Sequence, residues 1–97
     1  ESLKRRLTGI NSKAKRKGYS GCITPIEDLW CLFQAVSWCQ SCSVKFESQS
    51  DAMLDHCHET GKFRGFLCRR CNLVLGLVKD DEGWLAMLGD YLSEQKA

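Results

Sequence analysis

Four cysteines set the frame of this 97-residue chain: Cys39-Gln40-Ser41-Cys42 and Cys68-Arg69-Arg70-Cys71 are two C-x2-C pairs separated by 25 residues. That spacing offers four thiolates to one tetrahedral zinc. The other reading of such cysteines, small apolar core residues, does not account for their pairing. Between and just after the pairs stand Asp55, His56, His58 and Asn72, which a zinc satisfied by four thiolates does not need. A closed metal site beside spare ligand-type residues predicts a second, working site. Two blander alternatives are support for the zinc ligands and an ordinary polar turn. Zinc ligation by His56 or His58 in place of a cysteine is a third.

A chain of this length is one domain with a small core, the size at which a structural metal commonly supplements hydrophobic burial. Seven cysteines, an odd number with paired spacing and no secretory leader, favour reduced thiols and an intracellular, cytoplasmic protein over a disulfide framework. No apolar run approaches the roughly 18 residues of a membrane span. Because the chain opens at Glu1, it is expected to be a piece of something longer.

The net charge of +2 conceals a polar distribution. Residues 1–19 carry seven basic side chains, Lys4, Arg5, Arg6, Lys13, Lys15, Arg16 and Lys17, against Glu1 alone, a net of +6. Residues 20–97 carry seven basic and eleven acidic groups, a net of −4. A basic arm on an acidic body suits a phosphate backbone, whose condensed counterions each lysine or arginine displaces. A solvated helix face fits the charge alone equally well.

Helical spacing of Leu3, Leu7, Ile10 and Ala14 predicts a basic amphipathic helix from about Ser2 to Lys17, ending at Gly18, within a segment 1–20. Thr24-Pro25-Ile26-Glu27 reads as a capping box opening a buried helix within 21–38. Ala52, Met53 and Leu54 leading into Asp55 and His56, and Phe63–Leu67, joined by Glu59-Thr60-Gly61-Lys62, read as a hairpin, and Cys68 opens a helix carrying Asn72, all within a core at 39–78. A last amphipathic helix, within 79–97, begins near Asp80 or Asp81 and aligns Trp84, Leu85, Leu88, Tyr91 and Leu92. Cys22, Cys31 and the aromatics Trp30, Trp38, Trp84, Phe33 and Tyr91 are expected in the core, without a function. Adjacent residues on a regular strand face opposite ways, so Asp55 and His56 converge only where the strand ends or bends, whereas period two aligns His56 with His58.

The run DHCHETGKFRGFLCRRCN, residues 55–72, behind its C-x2-C knuckle, resembles the recombination endonuclease VII family, phage-type nucleases within the HNH or ββα-metal superfamily. The resemblance implies a mostly helical α+β fold: a zinc-stapled, treble-clef-like ββα-metal core with flanking helices. It implies Cys39, Cys42, Cys68 and Cys71 as structural zinc ligands, Asp55 and Asn72 as holders of a catalytic Mg2+ or Mn2+, and His56 as the histidine that activates water. His58 matches a histidine at the scissile phosphate or near the metal, and Arg64 a phosphate contact. The implied activity is metal-dependent DNA cleavage leaving 5′-phosphate and 3′-hydroxyl ends, in a phage or bacterial setting. A junction resolvase or double-strand cutter needs two active sites and hence a homodimer, whereas a nickase works as a monomer. The competing reading is a zinc-stapled binding module without cleavage. Both need the thiolates, but only the enzyme needs Asp55, His56 and Asn72 together.

Overall fold

The computed structural model describes residues 2–95. Helix α1 (Ser2–Lys17) leads to α2 (Ile26–Ala35), a 3-10 turn (Gln49–Asp51), strands β1 (Met53–His56) and β2 (Phe63–Leu67), then α3 (Arg69–Leu77) and α4 (Glu82–Gln95). The described residues thus form a small α+β fold of four α-helices and one antiparallel two-stranded sheet. Leu3, Cys22, Leu29, Phe33, Ala52, Leu54 and Phe66 form the buried core, with Leu7, Ile10, Ile26 and Phe63 packed against it. The apolar side of α1 therefore faces inward as its periodicity predicts, and Gly18 ends the helix at φ 82°.

Helix α2 departs from expectation twice. Its first residue is Ile26, because Pro25 holds an extended ψ of 145° and caps with its carbonyl rather than through a Thr24 side chain. The helix is also only half buried: Leu29 and Phe33 point inward while Trp30, Cys31 and Leu32 are exposed. An all-round apolar helix suggests full burial, but the rest of this small molecule offers one face to cover it. Trp38, Trp84 and Tyr91 are likewise on the surface.

The hairpin turn is clamped from outside. Beyond α1 the chain runs beside it, with Ser20 N–H donating to the His58 carbonyl at 2.8 Å and Ile23 N–H to the Gly61 carbonyl at 2.8 Å. Gly61 sits at φ 79°, and a Cβ there would run into the Gly21 carbonyl oxygen and the Ile23 side chain. Gly61→Ala is accordingly expected to destabilise the zinc-loaded protein by about 1–3 kcal/mol, from left-handed strain and backbone overlap together. Urea unfolding of the two proteins checks this.

Candidate active site

The first cysteine pair is shaped by its own backbone. Cys39 N–H donates to the Val44 carbonyl at 2.8 Å, and the N–H groups of Ser41 and Cys42 turn back to Cys39 Sγ at 3.4 and 3.5 Å. The second pair repeats this: Cys68 caps α3, accepting from Cys71 N–H at 3.4 Å. Gln40 joins the knuckle to β2, its amide oxygen accepting from Phe66 N–H at 2.6 Å and its own N–H donating to the Phe66 carbonyl at 3.1 Å. The four sulfurs consequently lie within 4.8 Å of one another and could hold a metal ion such as zinc. Burial pushes the Cys39 thiol up, but N–H donation from Cys42, Cys68 and Ser41 outweighs it and brings the pKa to about 6. Burial, then the neighbouring sulfurs of Cys68, Cys42 and Cys39, push Cys71 up to about 12. Such a cluster gathers negative charge that a cation would relieve.

On the other side of α3 the spare residues meet. Asp55, His56, His58 and Asn72 line one cavity of about 340 Å³, together with Tyr19 and Asp80. The sheet explains how neighbouring residues of β1 reach it: Asp55 pairs with Gly65 but His56 pairs with Phe63, so β2 carries one extra residue, Arg64, at a bulge. Bulges bend a strand and re-aim its side chains. His56 and His58 keep their period-two alignment, their ring centroids 4.9 Å apart. Tyr19 lies against His58 at 4.2 Å.

His56 is 4% exposed, and its Nε2 lies 2.9 Å from the Ser20 carbonyl oxygen. A carbonyl only accepts, so Nε2 carries the hydrogen and Nδ1 of the neutral ring keeps its lone pair. His58 is more exposed and sits 4.0 Å from Asp80. Burial, then the proximity of His56, lower the His58 pKa and keep its ring neutral near pH 7.

Arg64, expected at a phosphate, here forks onto Asp55, Nε to Oδ2 at 2.8 Å and Nη2 to Oδ1 at 2.9 Å, with Nη2 also 3.3 Å from Asp80 Oδ1. Those hydrogen bonds to Asp55 first, and to Asp80 after, raise its pKa further. The carboxylate of Asp55 and the amide of Asn72 are hard oxygen donors of the kind Mg2+ and Mn2+ take. They fit such a cation, provided the Arg64 fork yields Asp55.

The basic helix divides. Lys13 and Lys17 line an adjoining cavity of about 880 Å³ with Cys57, His58 and Arg64. Lys4, Arg5, Lys15 and Arg16 are exposed along the rest of α1. Arg6 leaves the set: its guanidinium donates to the carbonyls of Ala52 and Ser50 and lies 5.9 Å over the Phe33 ring, tying α1 to the start of β1. Residue type alone did not separate these roles. Ser20 and Asp80 carried no functional signal in the sequence, since Ser20 acts through a backbone carbonyl and the Asp80 carboxylate, read there only as a helix start, reaches Arg64 by way of the turn after α3.

A family model described as recombination endonuclease VII matches residues 14–94. The chain belongs to the recombination endonuclease VII family. No curated protein and no solved structure matches it. The family match covers the knuckles, the hairpin, α3 and nearly all of α4, and starts within α1 at Ala14. It makes the chain nuclease-related and suggests DNA as substrate. Among the described residues no helix is long and apolar enough to cross a membrane.

Proposed function

We propose that this endonuclease VII family member is a metal-dependent HNH-type DNA endonuclease, its ββα-metal core being β1, β2 and α3. The observation that carries the reading is the His56 ring, fixed through Nε2 on the Ser20 carbonyl, in one cavity with Asp55, His58 and Asn72. Zinc held by Cys39, Cys42, Cys68 and Cys71 fixes α3, and with it Asn72, against the hairpin. Asp55 and Asn72 would hold a Mg2+ or Mn2+, which when bound would neutralise charge growing on the phosphate and leaving oxygen. His56 Nδ1 takes a proton from water. The water oxygen bonds to phosphorus, the bond from phosphorus to O3′ breaks, and the O3′ gains a proton from solvent, leaving 5′-phosphate and 3′-hydroxyl ends. His58 and Arg64 face the scissile phosphate. The reduced state of all seven cysteines suits a reducing, cytoplasmic setting.

Lys13 and Lys17 carry the DNA backbone toward the crevice, with Lys4, Arg5, Lys15 and Arg16 extending the track. The Lys13→Glu, Lys17→Glu double variant is expected to lower the slope of log affinity against log salt by about two, roughly 0.9 per lost phosphate contact. Arg6→Gln should leave that slope unchanged and lower stability instead. Salt titrations of DNA binding check both, and an unchanged slope in the double variant would mean the DNA enters by another route.

The partner assigned to α4 is a second copy of the chain. Trp84, Met87, Leu88, Tyr91 and Leu92 are all 47–60% exposed along this helix, which buries no residue in the described structure. Two active sites on one dimer serve branched or double-strand cleavage. The whole reading is tested by labelled supercoiled, linear, nicked and branched DNA, each with Mg2+ or Mn2+ and with chelator, alongside the protein's mass in solution. Cation-dependent cutting is expected; binding to the panel without cutting would select the non-catalytic zinc-stapled module.

A further inference from the structure

The Arg64 fork and a cation at Asp55 draw on the same carboxylate. Arg64 engages both of its oxygens, at 2.8 and 2.9 Å, and a divalent ion joining the carboxylate competes with the guanidinium for its charge and lone pairs and repels it. An arginine set loose at this partly buried rim would return to Asp55 and compete with the ion. One group stands where it can receive the guanidinium. Asp80 already accepts from Arg64 Nη2 at 3.3 Å through Oδ1, while its Oδ2 faces His58 Nδ1 at 4.0 Å.

Its position is well held. Asp80 lies in the joint between α3 and α4, where Lys79 and Asp80 take φ of 53° and 59° and the Asp80 N–H returns to the Leu75 carbonyl at 3.0 Å. Asp80 thus lies just beyond the C-terminal end of α3, the helix whose first turn presents Asn72. Arg64 is fixed independently, as the extra residue of the β-bulge. The two arrive from different elements, and the only other carboxylate bonded to this guanidinium in the described structure is Asp55.

We propose that Asp80 is a positioning residue of the site. It retains the Arg64 guanidinium at the crevice rim when Asp55 passes from arginine to divalent cation, so that Arg64 faces an incoming phosphate diester rather than the cation's place. The inference rests on the nuclease reading of the crevice and assigns a role that the metal-holding and proton-accepting residues do not fill. Asp80 acts here through Arg64, not by touching the cation.

The test is a double-mutant cycle on Mn2+ affinity, measured by calorimetry on the zinc-loaded full chain without DNA. Wild type, Asp80→Asn, Arg64→Gln and the double variant are compared, with zinc content verified in each. Asparagine tolerates the left-handed backbone that Asp80 occupies, so the turn should survive. Arg64→Gln is expected to tighten Mn2+ binding, since the competitor is gone. Asp80→Asn is expected to weaken it about fivefold or more in the wild-type background, yet less than about twofold in the Arg64→Gln background. An equal loss in both backgrounds would make Asp80 a direct ligand or a plain through-space charge and overturn the proposal. No loss in either, or no tightening with Arg64→Gln, would overturn it as well. Mn2+ bound without coupling between positions 64 and 80 defeats this inference alone; no Mn2+ bound by any of the four defeats the cation reading of Asp55 and Asn72 together with it.

Discussion

Replacing any one of Cys39, Cys42, Cys68 or Cys71 by alanine is expected to cost the protein its zinc and most of its ordered structure. The core is small: among the described residues ten hydrophobic ones are buried, and α4 contributes none of them. Structural zinc sites contribute about 10–16 kcal/mol in small metallo-domains, while whole domains are stable by only about 5–15 kcal/mol. A loss of that order exceeds what this core can offset. The Gln40 bonds to Phe66 tie the knuckle to β2, and it meets α3 at the cysteine cluster, which the metal would hold closed. Elemental analysis with far-UV circular dichroism of each variant checks the expectation, and strong chelation of the wild type should reproduce it. A folded, zinc-free protein would contradict it.

His56→Ala is expected to lower cleavage by about 10²-fold or more while zinc content and DNA affinity hold. His56 lies outside the thiolate cluster, and its ring meets the Ser20 carbonyl, Tyr19 and His58, so a change confined to the proposed proton transfer should leave zinc and DNA binding intact. Because the ring is buried and satisfies the Ser20 carbonyl, His56→Gln is a useful companion: it fills more of the space but cannot accept the proton at pH 7. Single-turnover rates at saturating DNA separate the chemical step from binding. Unchanged rates in both variants would move the proton acceptor to His58.

Local pattern made much of the fold legible. The thiolate pairs, the alternating strands around Gly61 and the helix opened by Cys68 fall where spacing places them, because each depends on residues near in sequence. The burial of α2 was not legible, since an apolar sequence does not reveal how much surface its neighbours can cover. The Thr24 capping box failed for a local reason, Pro25 holding an extended backbone where the helix was expected to begin. In the site, Asp55, His56, His58 and Asn72 were readable as ligand types, and so was the need for a bend between Asp55 and His56, but not the device that supplies it. One extra residue at Arg64 shifts the register of the hairpin, and strand periodicity carries no mark of it. Ser20 was hidden because any residue offers a carbonyl. Arg6 and Lys13, alike in charge, differ only in what tertiary packing sets before them: backbone carbonyls for one and the open crevice for the other.

The central claim is hydrolysis of the phosphodiester at O3′, with water activated by His56, and the ends of the product test it most directly. Supercoiled DNA nicked by the zinc-loaded protein with Mg2+ or Mn2+ should carry a 5′-phosphate and a 3′-hydroxyl, and DNA ligase should reseal it without further treatment. Nicks that ligase cannot close because they carry a 3′-phosphate, or DNA left intact under the same conditions, would contradict the account.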